Sequence, residues 1–446
     1  VFAPKYPQYL HSIETYPPQR LAQIQQRRLR AVLAYASQSL PFYQERFRRA
    51  GITPQEIQTV DDLRRLPRIT KSDLVAAFRA RGYYQIGIEG LGGQQAANVV
   101  MTSGTLNFPT FASLAPYELD RGSVRCVMRE LWMQGIRPGM KVLVLLPGWH
   151  YLSLLESRAL THLGAHCIIP FGTHLSSHAD RFIMAAAAAR PDYILAFAPM
   201  MHALIEGCYA IGRRPQEVFF SVRYVSVVGE PLTPGMRERL KAELELNDVF
   251  ERGGSSDGLW GGGECEYHRG HHVYADYFLI EVVDPASGNP VPPGELGSIV
   301  VTTLSLGKSI YLRFDCEDWG MIVPGPCPCG RTHPVIELHD RLANTLTIAG
   351  RQITSQQVRC MLDEIPALVG RPFLIERLPT SSTQLYLHLA RVPGQEESDL
   401  AIQIERKCRQ QLGVSPVLTW HDRMPDGWKG RIVDTARVRE GLWARR

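Results

Sequence analysis

From Lys141 the chain alternates short apolar runs with helical stretches, and this alternation restricts the fold more than any other feature. The run Val142-Leu-Val-Leu-Leu146 leads to a helical stretch, a second run at Cys167-Ile-Ile169 and a helix through the alanines of Met184 to Ala189. Further runs follow at Tyr193-Ile-Leu195 and Tyr224-Val-Ser-Val-Val228. Short buried strands separated by helices predict an α/β layer with parallel strands. After about Val273 the texture changes: Phe278-Leu-Ile-Glu-Val-Val283 and Ser298-Ile-Val-Val-Thr-Thr303 are divided by turns at Asp284-Pro285 and Pro292-Pro-Gly294, which predicts a β-rich section. From roughly Leu346 onward strands and helices mix over the length of a small α+β domain. Upstream, Leu21, Ile24, Leu29, Val32 and Leu33 recur at helical spacing between arginines, so residues Arg20 to Arg49 read as amphipathic scaffold helices interrupted at Pro41.

A chain of 446 residues exceeds one compact core and predicts two or more domains. Its net charge of +5 arises from 49 basic and 44 acidic side chains spread along the chain, which argues against a nucleic-acid partner. No run reaches the roughly 20 apolar residues of a membrane span. The first residues, with Lys5 and Tyr6 ahead of Pro7, show no apolar signal-peptide core, so the expectation is a cytoplasmic enzyme without membrane or nucleic-acid partners. Nine irregularly spaced cysteines are an odd number, which points to reduced thiols, some holding a metal, rather than a disulfide framework.

Met101-Thr-Ser-Gly-Thr-Leu-Asn-Phe-Pro-Thr110 places three hydroxyls and a glycine within four residues, a set able to offer donors and close backbone N–H groups to phosphate oxygens. Alone, it is an ordinary Ser/Thr/Gly turn. Read in order with Val228-Gly-Glu-Pro-Leu-Thr-Pro234, Gly253-Gly-Ser-Ser-Asp257, Leu312-Arg-Phe-Asp-Cys-Glu-Asp318, Asp340-Arg341 and Gly427-Trp-Lys-Gly-Arg431, it resembles the motif series of the adenylate-forming (acyl-CoA synthetase) superfamily. Within it the chain is most similar to phenylacetate-CoA ligases, through Ala34-Tyr-Ala-Ser-Gln-Ser-Leu-Pro-Phe-Tyr43, Leu66-Pro-Arg-Ile-Thr-Lys-Ser-Asp-Leu74, Leu163-Gly-Ala-His-Cys-Ile-Ile-Pro170 and His272-Val-Tyr-Ala-Asp-Tyr-Phe278.

The resemblance implies a large N-terminal α/β plus β-rich domain, residues 1–340, and a small mobile α+β lid domain, residues 341–446. It implies ATP and Mg²⁺, with Thr102, Ser103, Gly104 and Thr105 at the phosphates, Gly229, Glu230 and Pro231 along the adenine, and Gly254, Ser255 and Ser256 also at the nucleotide. Asp257 takes the place of the usual Mg²⁺-holding glutamate, Asp318 would accept the ribose hydroxyls, Arg341 would sit near the hinge, and Lys429 is the candidate catalytic lysine. Two departures stand out. Leu106, Asn107 and Phe108 replace the Thr-Gly-Lys of relatives, and Lys429 falls one place later than in their Gly-Lys-x-x-Arg. Trp149 and His150, with Tyr151, lie where relatives build the acyl pocket, and an aromatic lining suits an aromatic acid.

Cys265, Cys327 and Cys329 with one histidine would make a closed tetrahedral Cys₃His site of structural zinc. His268, His271, His272 and His333 compete for the fourth place, and the resemblance through His272-Val-Tyr favours His272. The activity expected is ATP-dependent conversion of a small aryl carboxylic acid to an acyl-adenylate, with an alternative in which CoA takes the acyl group as thioester. A downstream enzyme consuming the adenylate and a homodimer complete the expected partners. The reading from another class is a nucleotide- or acyl-binding protein without catalysis, motivated by the two lysines that are missing or displaced.

Overall fold

The computed structural model describes residues 6–81, 98–101, 111–114, 119–146, 151–169, 179–255, 260–306, 310–341, 344–378, 383–424 and 432–434. They fall into two compact units, the first made of residues 1–173, 191–195 and 250–338, the second of 174–190, 196–249 and 339–446.

In the first unit, strands Lys141–Leu145 and His166–Ile168 pair in parallel, Val142 opposite Cys167, as buried apolar runs around a helical crossover predict. The crossover is helix Tyr151–His162. The β-rich part is built from antiparallel pairs. Phe278–Val283 pairs with Gly297–Thr303, which pairs with Phe314–Ile322. Val335 and Ile336 pair with His272 and His271, and strand His271–Val273 pairs in turn with Trp260–Gly263. Gly297–Thr303 is buried at every position, which accounts for an apolar run where an alternating pattern would mark a solvated face.

The N-terminal segment forms helices Pro18–Ser39 and Pro41–Ala50, broken at Leu40, whose extended backbone (φ −119°, ψ 104°) lets Pro41 open the second helix where its missing N–H costs nothing. Leu29, Val32, Leu33, Ala36, Tyr43 and Phe47 join Ile299, Val301, Phe314 and Ile336 in one core. The Tyr43 hydroxyl donates to Ile310 O (2.7 Å) and accepts from Leu312 N (3.2 Å). Full burial of Tyr43 makes these bonds a fixed register between helix and sheet. Arg252 lies buried between Glu130 and Glu156, its Nε 3.1 Å from Glu130 Oε1 and its Nη1 paired with Glu156.

In the second unit, the C-terminal part is a four-stranded sheet in the order Ser415–His421, Gln384–Ala390, Phe373–Arg377, Ile432–Asp434. Phe373, Ile375, Leu385, Leu387 and Leu389 face Val358, Met361, Leu400 and Ile404 of helices Ser355–Leu362 and Glu397–Lys407 in its core. This unit also holds strand Tyr224–Val228 and helices Ala198–Ala210 and Pro234–Leu244. Among the described residues no helix is long and apolar enough to cross a membrane.

Candidate functional site

The ligand atoms of Cys265, His272, Cys327 and Cys329 all lie within 4.8 Å of one another, and all four residues are buried. His272 sits on a central strand, between Gly263 and Val335, which aims its ring from a rigid place. Cys265 follows strand Trp260–Gly263 in a turn closed by His268 N to Cys265 O, and Cys327 and Cys329 occupy a turn closed by Gly330 N to Cys327 O. Gly330 has φ +81°, and a Cβ there would stand 2.5 Å from the Tyr9 hydroxyl, which donates to Cys329 O (2.9 Å). Only glycine fits this approach.

Cys265 Sγ is 3.6 Å from Cys327 Sγ, far beyond a disulfide bond, and Cys329 Sγ is 3.4 Å from His272 Nε2. A hydrogen bond from Cys265, then those from His272 and the Arg331 backbone, bring the Cys329 thiol down to about 3, while the bond to Cys329 and burial push Cys265 up. The competing histidines are engaged elsewhere: His333 accepts from Ala275 N and donates to Ile13 O, His271 Nδ1 meets Ile336 O, and His268 pairs with Glu264.

The described residues assigned to nucleotide lie in or directly after strands. Gly229, Glu230 and Pro231 follow strand Tyr224–Val228; Gly254 and Ser255 end strand Asp248–Ser255; Asp318 is half-buried within Phe314–Ile322; Arg341 ends Val335–Arg341. Ligands of α/β folds bind at such carboxyl ends, which Glu230 and Ser255 meet and mid-strand Asp318 does not. Gly254, Ser255 and Asp318 belong to the first unit, and Gly229, Glu230, Pro231 and Arg341 to the second. Gly229 has φ +93°, and its Cβ would stand 2.8 Å from the Phe197 ring; at Gly254 (φ +154°) a Cβ would meet Trp260 O at 2.3 Å. Both glycines let backbone come closer than any other residue allows.

Asp340, which precedes Arg341 in the sequence motif, carries a structural load that its place in the sequence does not reveal. Its Oδ1 accepts from Arg341 N (2.7 Å) and Asn344 Nδ2 (2.9 Å), and its Oδ2 from Ser355 Oγ (2.7 Å) and Gln356 N (2.9 Å). The carboxylate thus ties the segment after Arg341 to the N-terminus of helix Ser355–Leu362, where negative charge is favoured.

Residues 119–311 match the family model described as AMP-binding enzyme. Over 441 residues the chain is 30% identical to the phenylacetate-coenzyme A ligase of Thermus thermophilus, covering 92% of this chain and 94% of that protein. The chain belongs to the adenylate-forming superfamily. Within this superfamily it is also 24% identical to the phenylacetate-coenzyme A ligase of Aromatoleum evansii, over 91% of each chain. Its fold is that of the adenylate-forming ligases: a crystal structure of 2-hydroxyisobutyryl-CoA ligase in the postadenylation state, in complex with 2-HIB-AMP, superposes with a TM-score of 0.87 at 21% identity, over 100% of this chain and 97% of that one. The chain is accordingly an AMP-forming acid ligase. Among its sequence-assigned residues, Thr102, Ser103, Gly104, Thr105, Trp149, His150, Ser256, Asp257 and Lys429 lie outside the described residues.

Proposed function

We propose that this adenylate-forming enzyme uses ATP to activate a small aromatic carboxylic acid and then passes the acyl group to CoA. The observation that carries the reading is the 30% identity to the Thermus thermophilus phenylacetate-coenzyme A ligase across 92% of the chain. In the first step the substrate carboxylate attacks the α-phosphorus of ATP and pyrophosphate leaves. In the second the CoA sulfur attacks the acyl carbon and AMP leaves. The protein supplies position and charge rather than a nucleophile. Thr102, Ser103, Gly104 and Thr105 cradle the phosphates, Gly229, Glu230 and Pro231 line the adenine, and Asp318 accepts both ribose hydroxyls, a diol being well matched by two carboxylate oxygens. Mg²⁺, held with the help of Asp257, neutralises phosphate charge. Lys429 steadies the charge that grows at the α-phosphate, and Trp149 and His150 border the acid. Residues 341–446 act as the lid, pivoting near Arg341.

Zinc at Cys265, His272, Cys327 and Cys329 braces the β-rich section. A tetrahedral ion with Zn–S of about 2.3 Å and Zn–N of about 2.0 Å has S–S and S–N edges of roughly 3.8 and 3.5 Å. The 3.6 and 3.4 Å separations support that reading, as does a set of four soft donors with no open position.

Incubating the purified chain with ATP, Mg²⁺, CoA and a panel of aryl and short aliphatic acids tests the acceptor and the acid together. An aryl-CoA thioester formed in step with AMP is the expected product. Adenylate accumulating without thioester in the presence of CoA would replace CoA by another acceptor, and a preference for aliphatic acids would remove the aromatic assignment.

A further inference from the structure

Thr233 and Asp363, 130 residues apart, meet in the second unit: the Thr233 hydroxyl donates to Asp363 Oδ2 at 2.6 Å. The same hydroxyl accepts from Met236 N (3.1 Å) as the N-cap of helix Pro234–Leu244, so its position is fixed before it reaches Asp363. Asp363 is 3% exposed, and its other oxygen accepts from Arg359 Nη1 (2.7 Å) and Gly370 N (3.0 Å). The backbones approach as closely as the side chains, since a Cβ on Gly235 would stand 2.2 Å from Asp363 O. A second tie lies further along the helix, where Arg239 donates to Val369 O (2.6 Å) and His202 Nδ1 (3.1 Å) and pairs with Glu206 (2.8 Å). Two ties on one helix fix orientation as well as distance.

These contacts join two places that the proposed function keeps in separate domains. Thr233 stands two residues beyond Pro231, the end of the adenine segment, and Pro234 stiffens the backbone on its far side. Asp363 follows helix Ser355–Leu362, whose other end Asp340 ties to Arg341. An unbroken series of bonds therefore runs from the adenine segment through Thr233 and Asp363 to the proposed hinge. We infer that Thr233 and Asp363 are positioning residues of adenylate formation, holding residues 341–446 in register with the adenine segment during the first half-reaction. This rests on the proposed nucleotide assignment and on the division at residue 340.

Thr233→Asp separates this role from that of a helix cap, because aspartate still caps the helix but sets a second carboxylate against Asp363. In the full chain, amide hydrogen exchange of residues 364–371 should rise in this variant while helix Pro234–Leu244 stays protected. Adenylate formation should slow about 10-fold or more, as misplacement of a bound reactant does, with transfer to CoA from preformed phenylacetyl-adenylate kept within about 2-fold. Thr233→Ser, which retains both hydrogen bonds, and the double variant Thr233→Asp/Asp363→Asn, in which the amide donates to the new carboxylate, should recover the parental ratio of the two rates. Unchanged exchange at 364–371, or equal slowing of both half-reactions, would overturn the inference. Should the parent release no pyrophosphate with any acid, the functional reading fails by itself, and the exchange comparison still decides whether Thr233 ties down residues 364–371.

Discussion

Cys329 Sγ lies 3.4 Å from His272 Nε2, and Cys265 Sγ lies 3.6 Å from Cys327 Sγ, so two edges of a tetrahedron are drawn by residues from a central strand and two separate turns. Purified protein should contain about one zinc per chain. The double variant Cys327→Ser/Cys329→Ser should lose the metal and melt at lower temperature. Metal-free parent protein that melts at the same temperature as the loaded form would contradict the bracing role.

Asp318→Ala should weaken ATP binding by roughly 10- to 150-fold, because it removes charge-assisted hydrogen bonds of about 1.5–3 kcal/mol in all. Titration calorimetry with ATP and Mg²⁺ measures this directly, and an unchanged Kd would remove Asp318 from the ribose.

Arg252→Met should cost about 3–5 kcal/mol of stability at pH 7, since it leaves Glu130 and Glu156 buried without their cation. Burial already pushes the Glu156 carboxyl up. The loss should therefore shrink as pH falls and the stranded carboxyls take up protons, which urea unfolding at pH 7 and pH 5 can compare.

Burial and then the nearby Arg129 bring His333 down to about 4 from an ordinary value of 6.5. Its neutral form is the one that folds, so its contribution is full above pH 6.5 and declines as pH falls through the window from 6.5 to 4, where the unfolded chain binds the extra proton. The parent should lose stability across that window more steeply than His333→Gln, by an amount on the order of 3 kcal/mol at most. Parallel pH profiles would show that His333 is not the group responsible.

The layer arrangement is legible in the sequence because its strands are buried on both faces: the apolar run at Tyr224–Val228 coincides with its strand, and those at Val142–Leu146 and Ser298–Thr303 match theirs to within one residue. The Cys/His cluster is legible for a different reason, since three thiols and a histidine read together from the sequence do converge in the structure. Composition and spacing alone leave four histidines open, three of them flanking Arg269 and the fourth at His333; the resemblance through His272-Val-Tyr favours His272, and the structure groups His272 with the thiols while His268, His271 and His333 are engaged elsewhere. Asp340 and Asp363 have no such signal, because local donors such as Asn344 and Arg359 are joined by others well away in sequence, Ser355 and Gln356 on Asp340 and Thr233 on Asp363. Four donors gather on Asp340, and Thr233 reaches Asp363 across 130 residues, neither of which leaves a local pattern.

Lys429→Ala should slow adenylate formation by about 10²-fold or more while leaving ATP binding largely intact, because a cation beside the α-phosphate favours the charge-rich transition state over the ground state. Transfer from a preformed adenylate should be much less affected. Single-turnover rates for the two half-reactions separate these effects, and parental adenylation in the variant would assign the displaced lysine to the solvent-facing surface.

The most direct measurement is acid-dependent exchange of labelled pyrophosphate into ATP by the purified chain with Mg²⁺ and without CoA. Exchange that appears only on adding an aryl carboxylic acid, and vanishes when that acid is replaced by its amide, is the predicted result. Exchange that ignores the acid, or its absence with every acid at ATP concentrations that saturate binding, would contradict the claim that this enzyme activates carboxylates as adenylates.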